Sequence, residues 1–224
     1  MTRRFVRDNA LAIVALSAFL TIWLGGQTLA GLRSYNEEQR DHHERPVSFG
    51  AYLTTAHFGE ATFENWESEF LQMGAYVLLT VWLRQRGSAE SKAIDGGEPV
   101  DEDPRDHQAD PDAPSPVRRG GLALKLYENS LAIAFLTLFA LSWVLHALTG
   151  AREYSNEQLA HGGSPVGPLE YVHHAQFWFE SLQNWQSEFL AVFAIVVLTI
   201  GLRQRGSPES KPVGVPHEVT GQTG

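Results

Sequence analysis

The stretch "ENWESEFLQMGAYVLLTVWL", residues 64–83, returns almost letter for letter as "QNWQSEFLAVFAIVVLTIGL", residues 183–202. In each, a glutamate, Glu69 or Glu188, is followed by 14 charge-free residues, Phe70 to Leu83 or Phe189 to Leu202. Fourteen residues are short for a bilayer core of about 30 Å. Extended back to Trp66 and Trp185, each run reaches 18 residues, about 27 Å as helix. That length crosses a membrane if Glu67 and Glu69 lie inside the first run and Glu188 inside the second, so the reading of these glutamates decides the topology.

Working outward, Asn9 to Leu32 carries no charged side chain, and Asn129 to Ala151 carries none apart from His146. Each run exceeds the roughly 20 apolar residues of a spanning helix. The chain averages differently: 224 residues, net charge -9 and a mean hydropathy slightly below zero read as one or two acidic soluble domains. That mean mixes apolar runs with very polar segments. The absence of cysteine excludes disulfides, thiolate-bound metal and thiol chemistry. "MTRRFVRDN" followed by an apolar run imitates a signal peptide. Because "DNALAIVALSAFLTIWL" recurs in mid-chain as "ENSLAIAFLTLFALSWVL", where no signal peptide sits, both are read as membrane helices.

Residues 1–92 and 119–211 align with a period near 119, which predicts two tandem two-helix repeats. Between them, 93–118 is rich in Pro, Gly and Asp and reads as an acidic disordered linker, with 212–224 a disordered tail. The expected fold is therefore an all-α integral membrane protein with four transmembrane helices at about 10–32, 66–84, 129–151 and 185–203. Of the 17 Lys and Arg, only Arg33, Arg40, Arg45 and Arg152 lie in the two loops between helices. The positive-inside tendency then puts both termini in the cytoplasm. Each outer loop, with Pro46 or Pro165 beside aromatic residues, predicts a short interfacial helix. Gly59 is expected to separate that helix from the span in the first repeat, with a continuous run in the second. Gly25-Gly26 and Gly31 permit close helix approach or a local break in the first span.

Four apart on a helix, Asn65 and Glu69 share a face with Ser68, as Asn184 and Glu188 do with Ser187. This intramembrane polar stripe is expected to point into the bundle, with Trp66 and Trp185 as interface anchors. Related by a pseudo-two-fold axis, Glu69 and Glu188 would form a carboxylate pair able to share a proton or bind a cation. A second repeated pattern, Glu-Gln-x-x-His, occurs at Glu38 and His42 and again at Glu157 and His161. Each copy alone offers two ligands, too few for a closed metal site, although both together could offer four; the competing reading is a solvent-exposed, salt-bridged helix extension. Glu170 and His173 have no counterpart in Ala51 and Thr54 and read as a chance spacing. His146 is the lone histidine of a span, too few for bis-histidine haem ligation.

"SYNEEQ", "NWESEFLQMGAYVLLTVWL" and "QRGSAESK" together resemble a group of uncharacterised bacterial membrane proteins catalogued as a domain of unknown function. The resemblance covers both repeats and implies a bacterial cytoplasmic membrane location. No phosphate loop, nucleophile elbow or Ser/His/Asp spacing is present. The leading expectation is a non-enzymatic, structural or partner-binding membrane protein without cofactor or resident metal. Its partners are the lipid bilayer and a second copy or another membrane protein, not nucleic acid. A proton- or cation-coupled transporter using Glu69 and Glu188 is the alternative, and a membrane metal or redox enzyme the third reading.

Overall fold

A computed structural model describes residues 2–221, and every regular element among the described residues is helical. A short helix, α1 (Thr2–Asp8), precedes a continuous rod of 32 residues, Ala10–Asp41. The rod consists of α2 (Ala10–Leu20), a π-helical segment (Thr21–Gln27) and α3 (Thr28–Asp41). Glycines 25 and 26 lie in the π segment, and the Thr28 hydroxyl donates to the Trp23 carbonyl at 2.8 Å. The expected break is thus a widening of the helix, in which a side chain enters the backbone ladder. After a loop come α4 (Phe49–Tyr52) and α5 (Ala56–Trp82).

Residues 93–118 are mostly irregular, with 3-10 turns at Pro99–Asp101 and Pro104–His107 and the short α6 (Ser115–Arg119). Then follow α7 (Gly121–Glu128), α8 (Ser130–Ala160), α9 (Pro168–Tyr171) and α10 (Ala175–Gly201). The bounds of α4 and α5 recur in α9 and α10 with an offset of 119 residues.

Three stretches, Ala10–Asp41, Ser130–Ala160 and Ala175–Gly201, are long and apolar enough to cross a bilayer. Four were expected. The 27 residues of α5 have the length, about 40 Å, but its first half carries Glu60, Glu64, Glu67 and Glu69. Only 0%, 22% and 6% of the most apolar window of each of the three is buried within the chain. Leu11, Ile22, Leu131, Leu190 and Phe193 are all more than half exposed. Apolar helix surface left this exposed suits a lipid solvent better than water.

The loop helices α4 and α9 are single turns, shorter than the amphipathic segments expected. Gly59 does not separate them from the span; it lies inside α5. The break comes earlier, where the Thr55 hydroxyl accepts the Phe58 N–H at 3.2 Å and caps the new helix. The second half is interrupted at the corresponding place, between Tyr171 and Ala175, and does not run on.

The chain forms two compact units. One comprises Met1–Phe63 and Val144–Phe177, the other Glu64–Trp143 and Trp178–Gly224. In the first, Tyr52 and Tyr171 are buried against two glycines. A Cβ at Gly31 would stand 2.2 Å from the Tyr52 Oη, and one at Gly150 would stand 2.6 Å from the Tyr171 Cε1. Gly59 likewise admits Thr149, whose Cγ2 would be 2.6 Å from an added Cβ. Small residues let helices approach closely where hydrophobic burial supplies no driving force.

In the second unit, the two copies of Gln-Arg-Gly-Ser close the ends of α5 and α10 in the same way. The Gln85 N–H donates to the Ser91 Oγ and the Gln204 N–H to the Ser210 Oγ, both at 2.9 Å. Lys211, 1% exposed, donates from Nζ to the carbonyls of Gly87, His217 and Val219.

Candidate site: an acidic, histidine-bearing cup

The C-terminal ends of α3 and α8 line one cavity of about 440 Å³ in the first unit. Glu38 and His42 reach it from one helix end, Glu157 and His161 from the other. These are the four residues of the repeated Glu-Gln-x-x-His element. A spacing of four puts Glu and His of each element on one face of the last turn. Across the cavity the His42 and His161 rings stand edge to face, centroids 6.0 Å apart. All four side chains are exposed at the mouth.

The loops leaving the cup are clamped at corresponding points. Asn36 Oδ1 accepts the Val47 N–H at 2.7 Å and its amide donates to the Val47 carbonyl at 3.0 Å. Ser155 Oγ accepts the Val166 N–H at 3.0 Å. Ser155, which stands where the first half has Asn36, therefore makes the same backbone clamp. Just past each helix the chain turns through a left-handed residue, His43 at φ 60° and Gly162 at φ 77°.

Glu44 and Glu153 add two more carboxylates to the lining, which contains neither Lys nor Arg. A concave wall of one charge sign concentrates counter-ions. Glu153, 8% exposed, accepts the His57 backbone N–H and lies 3.4 Å from the Asn156 amide nitrogen. His57 Nδ1 and Tyr52 Oη are 2.9 Å apart, with the Tyr35 ring packed on both. Burial, with the Glu153 charge second and Tyr35 third, pushes the Tyr52 phenol up to about 12. Burial lowers the His57 imidazole, outweighing the nearby Glu38 charge that raises it. Tyr52 therefore donates to a neutral imidazole.

Elsewhere in the same unit the Tyr171 hydroxyl donates to Glu60 Oε1 at 3.3 Å. The Glu60 carboxylate and the His146 ring come within 4.8 Å of each other. His146, fully buried, stacks on Phe177 at 4.8 Å.

The stripe of the second unit is arranged differently from its sequence reading. Ser68 and Ser187 each donate to the carbonyl three residues back, that of Asn65 or Asn184, at 2.8 Å, so both hydroxyls are satisfied inside their own helices. Asn65, Glu69 and Ser187 are exposed, whereas Asn184 and Glu188 are half-buried and Ser68 is buried. Gln72 donates to the Glu188 carbonyl at 3.0 Å. The fully buried acid is Glu67. Trp185 donates its indole N–H to Glu67 Oε1 at 3.3 Å and packs edge-on against Phe139 and Trp178. Trp66 is half-buried. His173 is exposed, its Nδ1 2.7 Å from the Leu169 carbonyl.

Glu60, Glu67, His57 and Glu153 were missed because their counterparts are Phe179, Gln186, Gln176 and Ser34. Attention to positions shared by both halves passes over acids and histidines present in one.

The fold and site together define a class: a chain that is all-helical among the described residues, three of whose helices there are long and apolar enough to cross a membrane. The chain belongs to the family described as "Domain of unknown function (DUF6766)", which matches residues 2–222. Neither a curated protein nor a solved structure matches it.

Proposed function

We propose that this is a four-span, tandem-repeat protein of the bacterial cytoplasmic membrane, with both termini inside, that binds a transition-metal cation in its outward-facing cup and catalyses no reaction. In this reading α5 is the remaining span, its glutamates shielded by neighbouring helices. One observation carries the binding role: both Glu-Gln-x-x-His elements, far apart in sequence, converge on a single cavity without a basic residue. Imidazole and carboxylate together suit zinc or nickel better than calcium or magnesium. The two histidines supply the softer ligands, and Glu38 and Glu157 supply charge.

The purified chain, dialysed against micromolar zinc and then against metal-free buffer, is expected to keep one zinc per chain by elemental analysis. The pair His42→Ala with His161→Ala is expected to keep none. A parent chain that retains no zinc, or a double variant that retains as much, overturns the proposal. A second reading, proton transfer by Glu69 and Glu188, draws support from the approach of their helices, where Gln72 donates to the Glu188 carbonyl at 3.0 Å. It requires proton flux in proteoliposomes that Glu69→Gln with Glu188→Gln abolishes.

A further inference from the structure

At the far end of α5 and α10 lies a second recess, of about 360 Å³, inside the unit Glu64–Trp143 with Trp178–Gly224. Its walls are apolar, and several of them, Leu79, Phe189 and Phe193, are 39–62% exposed along the open side. Its closed end is polar. Tyr76 Oη donates to Glu90 Oε2 at 2.7 Å, while Glu90 Oε1 is buried and has no hydrogen-bond partner among the described residues. A buried carboxylate oxygen left unsatisfied is costly, and an occupant with a strong donor would relieve it. Arg84 also lines the recess, its Nη1 resting on the carbonyls of Val81 and Leu83 at the end of α5. A fixed positive charge, a buried acceptor and an apolar wall open to the side thus occur together.

We propose that this recess holds the headgroup of a phospholipid bearing a primary ammonium, of the phosphatidylethanolamine kind. The phosphate diester pairs with the Arg84 guanidinium, the ammonium donates to Glu90 Oε1, and the first acyl carbons lie along Leu79, Phe189 and Phe193. A guanidinium pairs well with phosphate oxygens, and an ammonium has three N–H donors. The quaternary ammonium of phosphatidylcholine has none, and phosphatidylglycerol presents hydroxyls without a cation. Only one half of the chain carries the device. Position 195, corresponding to Tyr76, is Ile, and Glu209, corresponding to Glu90, is exposed. The role of Glu90 is therefore separable from the Gln-Arg-Gly-Ser loop closure that both halves share.

The inference rests on the membrane reading above but not on the cation cup. Its test is lipid retention by the full chain, purified in a mild detergent with equal phosphatidylethanolamine, phosphatidylcholine and phosphatidylglycerol and read by native mass spectrometry. Retention of phosphatidylethanolamine is expected to exceed that of either other lipid by about ten-fold or more, the scale of one charge-assisted hydrogen bond. Glu90→Gln keeps the shape and an acceptor for Tyr76 and is expected to erase the preference, while Glu209→Gln leaves it intact. Equal retention of the three lipids by the parent chain overturns the proposal without reference to any variant. So does an undiminished preference in Glu90→Gln, or competition by soluble phosphoethanolamine as effective as by the lipid. Loss of the chain from membranes on alkaline carbonate washing is a separate result, which removes the membrane reading itself.

Discussion

Replacing His42 by alanine tests the cup most directly, because its geometry allows the effect to be estimated. Zinc–nitrogen bonds of about 2.0–2.1 Å, with an imidazole radius of about 1.2 Å, put two rings on one tetrahedral ion with centroids about 5.3 Å apart. The observed separation is 6.0 Å. Closing the remaining gap, about 0.7 Å, requires rotation of two exposed side chains, and with His161 Nδ1 2.8 Å from the Glu157 carbonyl its Nε2 would be the ligating atom. A ligand present at a hundred times its dissociation constant stabilises the folded chain by about 2.7 kcal/mol. If loss of one imidazole weakens zinc a hundred-fold, the same zinc concentration contributes only about 0.4 kcal/mol. Isothermal titration of the detergent-solubilised protein measures the affinity, and tryptophan-monitored unfolding with and without zinc measures the stabilisation. Affinity is also expected to fall on acidification, since a ligating imidazole must first lose its proton. An unchanged dissociation constant in His42→Ala, with zinc bound normally by the parent, refutes the assignment of the histidines.

Four further outcomes are expected. Gly31→Ala forces a methyl to 2.2 Å from the Tyr52 Oη, whereas Gly25→Ala meets nothing within 4 Å. The first should cost about 1–3 kcal/mol by chemical denaturation, and the second should fall well below that. His57 is held neutral by burial, so below its free value of about 6.5 the unfolded chain takes up a proton that the folded chain resists. Its contribution is complete above that pH and declines as pH falls, and His57→Gln should flatten thermal stability between pH 5 and 7; an unaltered slope excludes this origin. His43→Gly relieves a left-handed residue at φ 60° and should raise stability by up to about 1 kcal/mol, read from the denaturation midpoint. Lone cysteines at Ser48 and Ser164 should react with an impermeant reagent in intact cells and one at Asp95 should not. Labelling at Asp95 reverses the proposed path of α5.

Several features are legible without coordinates. The charge-free runs at 9–32 and 129–151 mark helices apolar enough to span, and the 119-residue recurrence anticipates the matching bounds of α4 with α9 and α5 with α10. The Glu-Gln-x-x-His elements are visible as repeated pairs, because a spacing of four is a property of one helix turn. The stripe around Glu69 shows where such reading stops. Periodicity reports which residues share a face of one helix, not which face meets a neighbour, and the face containing Glu67 is the one buried against Trp185.

Residue order alone thus marks an all-helical chain, two charge-free runs apolar enough to span, and two short acidic-histidine elements, but not the number of helices that suit a bilayer. Tertiary structure alone decided that those elements share one cavity, that Tyr52 and Tyr171 lie against Gly31 and Gly150, and that Glu153 and His57 meet beneath the cup. The reason is physical: spacing along a helix follows from its local hydrogen bonds. Proximity between helix ends a hundred residues apart follows from side-chain volumes packing in three dimensions, and here missing volume at two glycines makes room for two tyrosines.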